Sequence, residues 1–152
     1  MFRKVFFVCV CINLLAICCA DDLFKTDWYM TKKQVIAVQG APETQTDSTF
    51  YYYDPDKPRL FLGGELWQNF RFDHGLLIKI YLTIQGVSED KGIEYLTETY
   101  GRPYFYSLGA TMTYYWKSKD SLFYMDIGFP GCVINIIPLD SEQAKRYLSN
   151  ET

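Results

Sequence analysis

The sequence predicts an α+β domain made of two tandem helix–antiparallel-sheet repeats, with the helices on one sheet face and the other face open. Three observations predict it. A helix pattern, a Gly-x-Pro stop and an aromatic strand occur twice. The first copy runs from Thr31 through Gly40-Ala41-Pro42 to Phe50–Tyr53, the second from Ser88 through Gly101-Arg102-Pro103 to Met112–Trp116. Gly40 and Gly101 stand 61 positions apart (101 − 40), as do Pro42 and Pro103. An equal offset for helix, stop and strand marks a duplicated unit. Next, Leu76, Ile78, Ile80, Leu82 and Ile84 alternate with Leu77, Lys79, Tyr81 and Thr83, the period of a strand whose even positions face a core. Finally, 18% of the 152 residues are aromatic, which suits strands and argues against disorder.

Residues 1–20 read as a secretory signal peptide. Arg3 and Lys4 precede an apolar run from Val5 to Ile17, then small side chains lead to Ala20 and the acids Asp21-Asp22. The run is short for a membrane span, so a retained anchor is the weaker alternative. The remainder divides into a first repeat at 21–86 and a second at 87–152, joined as one continuous domain with a core over 27–138. Four of five cysteines (Cys9, Cys11, Cys18, Cys19) lie in the signal segment, which leaves Cys132 without an internal disulfide partner. Cleavage after Ala20 is one processing route. Leu15-Ala16-Ile17-Cys18 and Ala16-Ile17-Cys18-Cys19 also resemble a relaxed bacterial lipobox, with lipid on Cys18 or Cys19, although Ile17 or Cys18 stands where Gly, Ala or Ser is standard. Either route makes the protein extracytoplasmic. Without Arg3 and Lys4 the basic residues fall from 15 to 13 against 18 acids, a charge of −5 (13 − 18). An acidic domain without a basic cluster is a poor nucleic-acid binder.

In chain order, Thr31 with Gln34 forms a capping box, Val35, Ile36 and Val38 give the first helix its apolar side, and Gly40 then Pro42 end it. Residues 43–49 are polar and read as a loop before the strand Phe50–Tyr53. Asp54-Pro55-Asp56-Lys57-Pro58 is a turn. Glu65–Phe72 and Leu76–Ile84 form a hairpin around Asp73-His74-Gly75. Ser88-Glu89-Asp90 opens a second helix with acids in its first turn, and Ile93, Leu96 and Tyr100 face the core. Strands follow near 111–117, 121–128 and 132–138, then a short terminal helix over Asp140–Leu148.

Few residues carry catalytic chemistry. His74, the single histidine, sits in a hairpin turn, and one His with one Cys cannot complete a zinc site. Cys132 lies in an apolar strand as a small core residue. A Cys132–His74 hydrolase is the least favoured reading, and no metal or cofactor is expected. The aromatics are more informative. With Tyr51, Tyr53, Met112, Tyr114 and Trp116 facing the helices, Phe50, Tyr52, Thr113, Tyr115 and Lys117 face away. Trp67, Asn69, Arg71, Lys79 and Tyr81 fall on that same outer face. Tyr, Trp and Arg together are the usual anchors of protein interfaces. The plain alternative is cross-strand pairing, since strands favour aromatics for their own packing.

Trp28-Tyr29-Met30-Thr31-Lys32-Lys33-Gln34-Val35 with Gly40-Ala41-Pro42, Phe72-Asp73-His74-Gly75-Leu76, and Tyr100-Gly101-Arg102-Pro103 before an aromatic strand carry a family resemblance. They are similar to the motifs of the SmpA/BamE-like and β-lactamase-inhibitor-protein-like superfamily of bacterial extracytoplasmic proteins. Tyr29 stands where that motif usually has Gly. The resemblance implies a tandem helix–sheet module with a concave protein-binding sheet and no catalytic residues. Its inhibitor members are often disulfide-bonded, which Cys132 alone cannot be. The expected function is therefore a non-enzymatic protein-binding module. Trp67, Tyr81, Tyr52 and Tyr115 are its apolar anchors, Arg71 and Lys79 its charge contacts, and the partner is another protein. The alternative is an envelope lipoprotein with a scaffolding or outer-membrane assembly role, touching the membrane only through a lipid.

Overall fold

The computed structural model describes residues 26–149 apart from 109, 110 and 129, and only the backbone of 106–108. The expected signal segment, with Cys18 and Cys19, lies outside the described residues. The architecture is α+β: a large antiparallel sheet with three helices among the described residues.

α1 (Lys32–Gln39) starts at Thr31, whose N–H donates to Gln34 Oε1 at 2.8 Å while Gln34 N–H donates back to Thr31 Oγ1. This is the capping box that the sequence signals. The helix ends at Gly40, whose φ of 90° lets its N–H close on the Ile36 carbonyl. Of the expected apolar side only Val35 is buried; Ile36 and Val38 are exposed. Successive helix positions turn by about 100°, so Ile36 leaves the stripe that meets the sheet; Val38, three positions on, stays on the Val35 side, and helical period does not account for its exposure.

The strands are β1 (Thr44–Gln45), β2 (Thr49–Tyr52), β3 (Arg59–Phe61), β4 (Gly64–Asp73) and β5 (Leu76–Gln85). α2 (Glu89–Tyr100) follows, then β6 (Tyr104–Leu108), β7 (Thr111–Lys117), β8 (Ser121–Ile127) and β9 (Cys132–Pro138), and finally α3 (Glu142–Leu148). Sheet order is β1-β2-β4-β5-β9-β8-β7-β6, with β3 also on β4. The halves of the chain thus meet at β5–β9, the last strand of each.

Three expectations need correcting. In β5, Ile80, Leu82 and Ile84 are buried as the alternation predicts, but Leu77 is buried in place of Leu76 and Ile78. Phe72 pairs Leu77 while Arg71 pairs Lys79, so Ile78 is the extra residue of a bulge that flips parity. β6 occupies a stretch to which the sequence reading assigns no strand. Ser88 does sit at the N-cap of α2, yet its hydroxyl makes no capping bond; Glu89 instead accepts from Gly128 N–H at 3.0 Å.

The helices do not share one face. Val35 of α1 and Leu96 of α2 join the main core with Phe70, Leu82, Trp116, Phe123 and Ile136. Ala144 of α3 packs on Tyr115, Leu122, Tyr124 and Ile137. Tyr115 and Trp116, like Phe123 and Tyr124, are strand neighbours and point to opposite faces. So α3 lies on the face expected to be open and covers half of it. Ser141 caps α3 by accepting from Ala144 N–H at 3.1 Å. Among the described residues no helix is long and apolar enough to cross a membrane.

Ala144 gives a first prediction. A carboxylate there costs several kcal/mol to bury, more than seven helical residues recover by docking. Ala144→Glu is expected to release α3 while the rest of the sheet stays cooperative. Limited proteolysis should then cut within 139–149 at a rate at least tenfold above wild type; an unchanged rate argues against the docked position.

Candidate functional site

On the outer face, one row of cross-strand partners spans the sheet: Thr44, Tyr51, Asn69, Tyr81, Asn135, Tyr124, Tyr115 and Tyr104. Side chains directly opposite on one face touch, which makes this row a continuous polar–aromatic stripe. α3 divides it. Tyr115 and Tyr124 lie under the helix, with Tyr147 5.9 Å and 5.2 Å from their rings. Tyr51, Asn69 and Tyr81 lie beyond it and are exposed or half-buried.

Around the uncovered half, Tyr53 stacks on Trp67 with centroids 3.8 Å apart and planes 16° from parallel. The Tyr53 hydroxyl hydrogen-bonds Glu65 at 3.1 Å, which holds the stack in place. Arg71 and Lys79 are direct cross-strand neighbours. Lys79 Nζ lies 4.4 Å from the Tyr81 ring centroid and 5.0 Å from that of Tyr124, and donates to the Tyr124 hydroxyl. Gln143 of α3 donates to the same hydroxyl at 3.1 Å, so the covered and uncovered halves share one oxygen.

Trp67, Arg71, Lys79 and Tyr81 therefore share the outer face as expected. Tyr52 does not. It is only 5% exposed, its ring meets Phe70 edge-on at 5.2 Å, and its hydroxyl donates to the Gly40 carbonyl at 3.0 Å on the helix side. Tyr51 and Tyr53 take the outward positions instead. The cause lies before the strand: β1 starts four residues after Gly40 (44 − 40) and β6 three after Gly101 (104 − 101), so the two connections differ by one residue. An offset of 61 carried across unequal connections does not preserve strand parity. For the second copy the expected facing holds, with Trp116 in the main core and Tyr115 outward. Tyr115 is nevertheless 1% exposed beneath α3 and cannot reach a partner. The cap and small residue at Ser141 and Ala144 were the available signal that a terminal helix would dock there.

His74 and Cys132 are not brought together. Cys132 pairs Ile84, and His74 precedes Leu76, so eight strand residues, about 27 Å, separate the two sites. His74 is solvent-exposed with φ 47°, a turn position beside Gly75 at φ 79°. Burial, then Glu89, pushes the Cys132 thiol up to about 11, away from thiolate reactivity. A Cys–His hydrolytic pair is ruled out. Among the described residues no His, Cys, Asp or Glu cluster is placed to hold a metal.

Tyr81 differs from the other shifted tyrosines. Burial raises its phenol, but hydrogen bonds and positive charge from Arg71 and Lys79 outweigh this and hold it below the ordinary value of 10.0. Burial pushes Tyr52 and Tyr100 up to about 12. Spectrophotometric titration should therefore show Tyr81 ionising ahead of these two, and Arg71→Gln with Lys79→Gln should move that early phase upward. The linkage signs differ too. A lowered folded pKa adds stability above the unfolded value and loses it as pH falls through the folded one. Tyr52, Tyr100 and Cys132 add stability below their unfolded values and lose it as pH rises toward 11–12.

No protein-family model matches the chain, and no curated protein matches it. Among solved structures the chain is similar to a DUF4309 family protein, YjgB, from Bacillus subtilis. The two are 17% identical over 71% of this chain and 78% of that one, with a TM-score of 0.46. Similarity at that level carries nothing about function.

Proposed function

We propose that this chain is an exported bacterial protein-binding module, acting by recognition and not by catalysis, through the uncovered half of its outer sheet face. The carrying observation is the Tyr53–Trp67 stack beside Tyr51 and Tyr81, flanked by Arg71 and Lys79. Rigid aromatics next to an Arg form the kind of surface that supplies interface anchors at low entropy cost. Tyr52 and Tyr115 drop out of the contact set, and Tyr51 and Tyr53 enter it. Export rests on the charge, apolar run and small residues of positions 1–20. A tandem duplication is supported by the matched stops of α1 and α2: Gly40 and Gly101, at φ 90° and 86°, each close on the carbonyl four residues back. The superfamily resemblance adds the same reading of tandem modules and a binding sheet.

Placing a photo-crosslinking residue at Tyr51 and probing envelope extract tests this. Trp67→Ala with Tyr81→Ala is expected to weaken capture of a discrete partner roughly thirtyfold, about 2 kcal/mol for losing a hot spot. Equal capture by a folded double variant rejects the reading. The alternative is an envelope lipoprotein that scaffolds an assembly, favoured by the lipobox-like residues up to Cys18 or Cys19. Incorporation of a labelled lipid precursor, lost in Cys18→Ala/Cys19→Ala, supports it; no incorporation rejects it.

A further inference from the structure

The uncovered face carries a charge arrangement that the fold itself does not need. Arg71 and Lys79 oppose each other directly across β4 and β5. Like charges in that position repel and lower the stability of the pair. Among the described residues no carboxylate lies within ion-pair distance of either. Glu65, on the same strand face, is six residues from Arg71, about 20 Å, and is engaged by Tyr53. Asp126 accepts from the Thr113 hydroxyl at 2.6 Å on β8. Asp73 lies past the bulge, 3.9 Å from His74 Nε2. What Lys79 contacts is aromatic: it lies over the rings of Tyr81 and Tyr124, with Arg71 directly opposite on the neighbouring strand. Two neighbouring cations, Lys79 held over its rings and Arg71 exposed, are thus left without a carboxylate partner among the described residues, in a chain with more acids than bases.

Resting on the protein-binding reading above, we infer that the occupant of this face is an acidic segment of a partner protein. Its carboxylates seat between Arg71, Tyr81 and Lys79, and an adjacent apolar side chain lies on Tyr51, Tyr53 and Trp67. Charge complementarity carries the choice. Arg presents a fork that matches a carboxylate, and a carboxylate between two cations relieves their repulsion. The acidic balance of the chain disfavours a nucleic acid, which needs many phosphate contacts at once.

The test uses the secreted chain and three fluorescent probes read by polarisation. They are a peptide alternating Glu with Phe, the same peptide with Gln for Glu, and a single-stranded oligonucleotide of matched charge. The acidic peptide is expected to bind at least tenfold more tightly than its Gln counterpart, and to weaken as salt is raised. Arg71→Glu with Lys79→Glu should remove that preference, and Arg102→Glu, an exposed cation on the turn after α2, should not. Thermal unfolding of each variant confirms that it folds; Arg71→Gln with Lys79→Gln is the milder pair if charge reversal does not. An acidic preference that survives the reversal overturns the inference, as does equal binding of acidic and Gln peptides. Equal or tighter binding of the oligonucleotide overturns it in favour of phosphate. Loss of peptide binding in Trp67→Ala without any acidic preference sinks this inference alone; indifference to Trp67→Ala and to the charge variants sinks the binding face as well.

Discussion

Gly64→Ala is expected to lower stability by about 3 kcal/mol and the unfolding midpoint by on the order of 10 °C. Gly64 opens β4, immediately after the turn from β3, and pairs Phe61. A Cβ built there would lie 2.6 Å from Val87 Cγ2 and 2.9 Å from Ile84 Cγ2, and closer still to the Gln85 backbone oxygen. Val87 and Ile84 are core residues, and the Gln85 oxygen belongs to a backbone that pairs Glu65. Neither side chain can swing into a void, because interiors are close-packed, and the carbonyl moves only if the strands part. Gly63→Ala is the control. There a Cβ meets only the mobile Lys91 amine at 3.6 Å, and the cost, about 1 kcal/mol, is the positive φ of 84°. Thermal or urea unfolding of both variants checks the contrast. A Gly64→Ala protein no less stable than Gly63→Ala contradicts the close approach of β4 and β5 at this end.

The second large effect is at Gly92, inside α2. Alanine is the better helix former by about 1 kcal/mol, so propensity alone predicts stabilisation. Packing predicts the reverse. A Cβ on Gly92 would stand 3.0 Å from Met125 Cε and closer to Cys132 Sγ, both in the sheet beneath. The thioether of Met125 can give way, whereas Cys132 is fully buried and short. The net expectation for Gly92→Ala is a loss of about 2 kcal/mol. Cys132→Ala removes the obstructing sulfur, at a cost near 1 kcal/mol for the space it leaves when made alone. Combined, the two should be more stable than Gly92→Ala, with a coupling of about 1 kcal/mol or more. Simple additivity in urea denaturation would show that Cys132 does not set the distance between α2 and the sheet.

These glycines show where sequence reasoning stops. Gly40 and Gly101 are legible because their role is local: each ends a helix at positive φ, and a Pro two residues on marks the stop. Gly64 and Gly92 are not legible, because their reason is a neighbour some 20 to 40 positions away in sequence. The same division runs through the binding face. Alternation within each strand could group Trp67 with Arg71, and Lys79 with Tyr81. That the two pairs share a face depends on the bulge at Ile78, because the two-residue turn alone would set Arg71 against Ile78. Tyr52 was misassigned because its parity depends on how β2 meets β4, which the connection from Gly40 decides. Tyr115 was assigned to its true face but not to its true environment. A helix from the far end of the chain covers it.

By itself the sequence determined the capping box at Thr31, the Gly40 and Gly101 helix stops, the His74-Gly75 turn, the alternation that buries Ile80, Leu82 and Ile84, and the antiparallel α+β class. All of these follow from interactions within a few residues or from a repeating period. Only the tertiary structure decided three further things: the bulge at Ile78, the docking of α3 over Tyr115 and Tyr124, and the isolation of Arg71 and Lys79 from every described carboxylate. Each is a matter of which distant surfaces meet. Composition and spacing say what a residue prefers to bury; which of two faces has room for it is settled by packing.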